Sequence, residues 1–156
     1  MFRPILSTMD LPRALCVALI LSVFSASSAA AQSGSGTAIT EFDPLAVQSV
    51  ISRQIAAFLS GNGEEAYSFA APSIRSQFTT VDQFMGMVRK GYAPVYAPRS
   101  FAFGKSGSTN GKAIQQVFVT GPDGKNWIAV YTLEHQPDGS WKINGCFLQP
   151  DKGEGA

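Results

Sequence analysis

The chain has 156 residues, 45% hydrophobic, 11% aromatic and 15% charged, with a formal charge of +1. That is material for one domain with a buried core, not for two domains or a disordered polymer. The near-neutral balance leaves no electrostatic footprint for nucleic acid or acidic lipid.

Residues 1–31 read as an address. Arg3 and Arg13 give a weakly basic start, Ala14 to Phe24 is an apolar run of eleven residues, and small residues follow from Ser25 to Ala31. This is the layout of a secretory signal peptide cut between Ala31 and Gln32, and it predicts a periplasmic or secreted protein. At about 1.5 Å rise per residue the run falls well short of a hydrocarbon core of about 30 Å, so a lasting membrane anchor is the weaker reading. Cys16 sits near the start of the run, where a lipoprotein signal does not place its cysteine. The mature chain keeps ten basic and ten acidic side chains, no predicted membrane span and a single cysteine, Cys146. One cysteine cannot form an internal disulfide. No basic neighbour or helix start is at hand to lower its pKa, so Cys146 reads as a small hydrophobe on a strand rather than a redox thiol.

Residues 32–42 are small and polar, a flexible leader, and a single domain is predicted over 43–150, with 151–156 as a disordered tail. Asp43 followed by Pro44 is a good helix opening. Val47, Val50, Ile51, Ile55, Phe58 and Leu59 share one face at 3.6-residue spacing, and Gly61 is the stop. A second helix is predicted over Glu64 to Ala71, interrupted by Pro72, with one further turn from Ser73 to Phe78. Thr80 and Gln83 make a capping box for a third helix that buries Val81, Phe84, Met85 and Val88 and ends at Gly91.

Beyond Gly91 the period changes to that of strands. Tyr92 to Pro98 is expected to be an extended, proline-rich linker, Arg99 to Gly104 a strand, and Lys105 to Lys112 a loop. Ile114 to Thr120 is a strand with Gln116 and Phe118 on one face and Gln115, Val117 and Val119 on the other. Trp127 to His135 is the longest strand, with Trp127, Ala129, Tyr131 and Leu133 on one face, and Trp141 to Leu148 is the last. The intervening Gly121-Pro122-Asp123-Gly124 and Gln136-Pro137-Asp138-Gly139 are hairpin turns, each with its last glycine left-handed. Helices followed by such a meander predict an α+β fold, the N-terminal helices packed on a curved antiparallel sheet. A pocket can open where the sheet curls around a helix.

Three stretches carry a resemblance: Phe84-Met85-Gly86-Met87-Val88-Arg89-Lys90-Gly91-Tyr92, then Tyr96-Ala97-Pro98-Arg99-Ser100-Phe101, then Pro137-Asp138-Gly139-Ser140-Trp141-Lys142-Ile143-Asn144-Gly145-Cys146. Together they resemble the bacterial family called domain of unknown function 4864, over roughly Asp43 to Leu148. That family carries no assigned activity, so the resemblance transfers no catalytic residue. The element order also looks like the cone-shaped fold of the nuclear transport factor 2-like superfamily, whose members include ketosteroid isomerases, dehydratases and pure binding modules. This is an analogy of fold, and it widens the choice of function.

The mature chain offers few groups for chemistry. A zinc site needs three or four ligands, and one histidine and one cysteine without HxxxH or CxxC spacing do not supply them, so no metal and no cofactor is predicted. His135 is the only base for a triad and reads as a strand-end histidine beside a turn. Gly104-Lys105-Ser106 lacks the upstream glycine and the following helix of a phosphate loop. Asp82 reads as first-turn helix charge and Glu134 as solvated. The pocket candidates are Tyr92, Tyr96 and Tyr131 as hydrogen-bond donors, Gln116 as an amide in apolar surroundings, Phe118 beside it, and Arg99, which pairs with an acid or an anion.

Three readings follow. The first is an exported, non-enzymatic module that binds a small, partly apolar ligand or a protein partner through the inner face of the sheet. The second is an isomerase- or dehydratase-type enzyme that uses a pocket carboxylate and tyrosines. The third is a structural domain whose exposed sheet face forms a homodimer. A carboxylate inside the pocket is the feature that separates the second from the first.

Overall fold

The computed structural model describes residues 42–153. The predicted signal peptide, the leader up to residue 41 and residues 154–156 lie outside the described residues. Asp43 opens helix α1 (Pro44–Leu59): its carboxylate accepts from the Leu45 N–H at 2.9 Å, and Pro44 holds the first helical position. At the far end Gly61 adopts φ +70°, so the Asn62 N–H reaches the Ala57 carbonyl at 2.9 Å and the Gly61 N–H that of Phe58 at 3.1 Å. This crossed pair is the Schellman stop, which needs a residue free to go left-handed. The predicted apolar face is buried at Val47, Ile51, Ile55 and Phe58. Leu59 was expected to share that face but is 58% exposed. It falls past the edge of the buried stripe, and that stripe includes the amide residue Gln54 instead.

The second predicted helix is shorter than expected. Helix α2 (Gly63–Ser68) gives way to an extended stretch before helix α3 (Pro72–Gln77). The reason is a better use for its backbone. The Phe69 carbonyl accepts from the Ile143 N–H and the Ala71 N–H donates to the Ile143 carbonyl, both at 2.8 Å. Residues 69–71 therefore pair with the sheet edge in place of a further helical turn.

Helix α4 (Val81–Gly91) has the predicted N-cap, with Thr80 Oγ1 accepting from the Gln83 N–H at 3.2 Å. The return arm of the box lands one residue earlier, on the Thr79 N–H at 3.1 Å. Tyr92 to Pro98 was expected to be extended. Instead Ala93–Tyr96 forms a short helix α5, with Pro94 near its start, where a missing N–H costs nothing.

The sheet is a meander in the order β1-β2-β3-β4, antiparallel throughout: β1 (Ser100–Thr109), β2 (Lys112–Thr120), β3 (Asn126–His135) and β4 (Trp141–Pro150). The helices-then-curved-sheet α+β arrangement is the predicted one. So are the two Pro-Asp-Gly turns, with φ +81° at Gly124 and +85° at Gly139. The expected loop from Lys105 to Lys112 is corrected to a two-residue turn. Asn110 and Gly111, at φ 49° and 74°, close a tight hairpin, and the strands run on to Thr109 and Lys112. Asn-Gly is the strongest short hairpin signal, because both central residues must take positive φ.

Two irregularities shape the sheet. In β1 the register shifts between Phe103 and Ser106. Two glutamines clamp this bulge from opposite faces. Buried Gln115 donates from Nε2 to the carbonyls of Gly104 (3.1 Å) and Lys105 (3.3 Å), and its Oε1 accepts from Gln48 on α1. Gln116 Oε1 accepts from the Lys105 N–H at 3.3 Å. In β4 the shift lies between Thr132 and Leu133 on the partner strand, which pair with Gly145 and Ile143 and leave Asn144 as the extra residue. Its amide donates to Glu134 Oε2 at 3.1 Å.

Two positions expected outside the domain sit on it. Phe42 packs against the core, and the Asp151 N–H donates to the Asn126 carbonyl at 2.9 Å. Replacing Gln115 by Leu removes the bridge between α1 and the β1 bulge and orphans buried carbonyls. The substitution should cost about 1–3 kcal/mol in equilibrium urea unfolding, whereas Gln116→Ala should cost less than about 1 kcal/mol.

Candidate functional site

Each strand of the meander presents alternate residues to the helices. On β2 these are Ala113, Gln115, Val117 and Val119, and on β3 Ala129, Tyr131 and Leu133, all buried. Strict alternation from Ile143 would turn Phe147 inward on β4 and Cys146 outward. The extra residue at Asn144 reverses this parity. Ile143 and Cys146, three positions apart, both line the helix side, while Phe147 is 63% exposed. Register then aligns Gln115, Tyr131 and Cys146 across neighbouring strands.

Above Tyr131 and Cys146 the helices leave a cleft of about 370 Å³, near the small end of the range for ligand sites. Its apolar walls come from Phe58 on α1, Phe84 and Val88 on α4, Val95 on α5 and Ile143 on β4. Exposed Gln77 and half-buried Ile74, Phe78 and Met87 also line it, so it opens to solvent beside α3 and α4. Among the described residues, no Asp, Glu, His, Lys or Arg lines it. Among the described residues, no three His, Cys, Asp or Glu side chains gather as a metal would need.

The polar groups in the cleft are few. The Tyr92 hydroxyl donates to the Cys146 carbonyl at 3.1 Å, and Gln54 Nε2 donates to the Ala66 carbonyl at 3.2 Å. The Tyr131 hydroxyl is different. Its residue is 1% exposed, and the oxygen has no hydrogen-bond partner of good geometry. The Cys146 thiol lies beside it and interacts with it, but a thiol is a weak partner. Burial, then the neighbouring Cys146, holds the Tyr131 phenol well above its ordinary range, and the same causes raise Tyr92. Both stay protonated donors at neutral pH. Solvent reaches part of Cys146, yet desolvation pushes its thiol up to about 12, with Tyr131 pulling the other way. That is the environment of an inert thiol.

Of the six residues singled out from the sequence, the structure brings two together here, Tyr92 and Tyr131. Tyr96 packs its ring against Phe58, centroids 5.8 Å apart, behind the cleft wall. Arg99 is exposed and donates from Nε to the Pro122 carbonyl at 3.1 Å, holding the β2–β3 turn. Gln116 and Phe118 lie on the opposite face of the sheet, Phe118 41% exposed beside a second hollow near Trp127. Sequence reasoning passed over Gln54, though its place three residues beyond Ile51 put an amide on the apolar stripe of α1. It could not anticipate Cys146 in the cleft, because the bulge at Asn144 decides that.

The fold and cleft define a small α+β domain in which a helical layer covers one face of an antiparallel meander, leaving an uncharged hollow between them. A family model for a domain of unknown function (DUF4864) matches residues 40–156, and the chain belongs to that family. No curated protein matches the chain.

Two measurements probe these groups. Tyr131→Phe removes an unpaired buried hydroxyl and should stabilise the protein by about 1 kcal/mol in thermal unfolding; a loss of similar size would mean that the hydroxyl is satisfied. The Cys146 thiol is neutral in both folded and unfolded chains below pH 9, its ordinary value, and only the unfolded chain ionises readily between 9 and about 12. Its contribution to stability is thus complete below pH 9 and falls away above it, by up to about 1.4 kcal/mol per pH unit. Comparison with Cys146→Ala, which should show a shallower decline from pH 9 to 10, checks the sign.

Proposed function

We propose that the domain is a non-enzymatic module that binds a small, largely apolar molecule in the cleft above Tyr131. One observation carries this reading: Tyr131, whose fully buried hydroxyl has no good partner, lines a hollow of about 370 Å³ whose walls are mostly hydrocarbon and aromatic. Buried polar groups are paired in the great majority of cases, so each exception calls for an explanation, and for a hydroxyl in the wall of a cleft a ligand oxygen supplies one. The acid–base alternative has its tyrosines in the cleft but no carboxylate among the lining residues: Asp82 is exposed in the first turn of α4, and Glu134 is engaged by Gln136 and Asn144. The helices-then-meander order supports the likeness to the nuclear transport factor 2-like fold, which hosts binders and enzymes alike. The signal-peptide pattern of residues 1–31 supports export, with the mature domain acting in the periplasm or outside the cell.

A second reading rests on the other face of the sheet. Phe118 and Phe147 are exposed there, with Ile114, Ile128 and Val130 half-buried around them, and they support contact with a protein partner or a second copy.

Titration of the full chain with 1-tetralone, followed by methyl resonances, separates the two readings. Saturable shifts at Ile74, Met87 and Ile143, lost in Ile74→Trp, are expected for the cleft. Shifts confined to the surroundings of Phe118 and Phe147 would favour the outer face and overturn the cleft reading.

A further inference from the structure

Resting on the cleft as a small-ligand site, we propose that its ligand is an uncharged molecule bearing an acceptor oxygen, a ketone, aldehyde, ester or amide carbonyl, which takes the hydrogen bond of the Tyr131 hydroxyl. The geometry assigns this role by what the neighbouring donors already do. Tyr92 gives its proton to the Cys146 carbonyl at 3.1 Å, and Gln54 gives an amide proton to the Ala66 carbonyl at 3.2 Å. Tyr131 alone among these holds an O–H with no good acceptor, at 1% exposure. Its nearest use is the Cys146 sulfur, a weak acceptor that a carbonyl oxygen outcompetes.

The charge of the ligand follows from the walls. A carboxylate or phosphate would leave water for a cleft without Lys, Arg or His, and an ammonium for one without Asp or Glu. Either ion would lose its hydration and gain no counter-charge, which is prohibitive in an apolar setting. A neutral carbonyl loses far less and recovers it through one hydrogen bond. The rest of the ligand must be apolar, because Phe58, Phe84, Val88, Val95 and Ile143 offer it nothing but hydrocarbon and ring contacts.

Calorimetric titration of the full chain with three compounds of one shape tests this: 1-tetralone, tetralin and 1-aminotetralin, the last a cation at neutral pH. The ketone should bind about tenfold tighter than the hydrocarbon, and the cation weaker than both. Tyr131→Phe should bring the ketone down to the hydrocarbon and leave tetralin unchanged. In the unaltered protein the carbonyl stretch of bound 1-tetralone should move to lower frequency, which reads the same bond without a substitution. Equal binding of ketone and hydrocarbon, or a preference that survives Tyr131→Phe, would overturn the carbonyl inference and leave the cleft standing. If none of the three bound, the small-ligand reading itself would fall.

Discussion

The arrangement of the whole domain depends on one extra residue in an edge strand. Asn144 interrupts the pairing of β3 with β4, and the strand on either side of it presents opposite parity. On one side Ile143 gives its outward N–H and carbonyl to Phe69 and Ala71, which ties the helical half to the sheet with two bonds of 2.8 Å. On the other side Cys146 is turned inward beside Tyr131 and Phe147 outward to solvent. A regular strand could not do this. Without the bulge, a phenylalanine would enter the space that is now the cleft. The bulge is itself held: Asn144 donates to Glu134, and Glu134 also accepts from Gln136 in the adjoining turn. It serves a second purpose as well, since an edge strand bonded to residues 69–71 no longer offers that stretch to another chain.

Local chemistry was the most legible part of the sequence. Asp43-Pro44, the Gly61 stop, the Thr80 cap and both Pro-Asp-Gly turns are decided within four or five residues, and each is found where the residues put it. Most departures come from tertiary packing or pairing that overrides the local preference. Ala70 would continue a helix, but Ile143 offers it a strand. Leu59 has the right spacing for the buried face, but the stripe on α1 is narrower there and its solvent side begins at Leu59. Tyr92 to Pro98 has prolines that suggest extension, yet Pro94 near the start of α5 is compatible with a helical turn, and burial of Val95 rewards it. The Asn110-Gly111 hairpin is the exception, since its signal was local and was masked by the small polar residues around it.

The candidate site was legible by halves. Alternation groups Tyr131 with Ala129 and Leu133 on β3 and Gln116 with Phe118 on β2, and the pairing of Tyr131 with Gln115 puts the two groups on opposite sides of the sheet. One pocket could never have joined Phe118 to Tyr131 across a single sheet. What alternation cannot supply is register, because it fixes faces and not partners. The row Gln115–Tyr131–Cys146 exists because the hairpin turns set two registers and the bulge resets the third. Tyr92 reaches the same place from the end of α4, and no periodicity connects it to Cys146, 54 residues later.

Stability by itself would favour a phenylalanine at position 131. The ring is fully packed, and an unpaired buried hydroxyl costs about 1–3 kcal/mol, a substantial share of what holds a domain of this size together. Apart from Trp127 Nε1 and Asn144 Oδ1, which are also buried without a partner, this interior pairs its polar groups. Gln115 makes four hydrogen bonds, Gln54 reaches a helix carbonyl, and the Tyr67 hydroxyl donates to Phe78 at 2.6 Å. Of the two buried tyrosines, Tyr67 is satisfied and Tyr131, which lines the cleft, is not. Poor packing does not account for the difference, since both rings are enclosed. The ligand proposed above would account for it, because an acceptor oxygen would complete the Tyr131 hydroxyl and offset its desolvation.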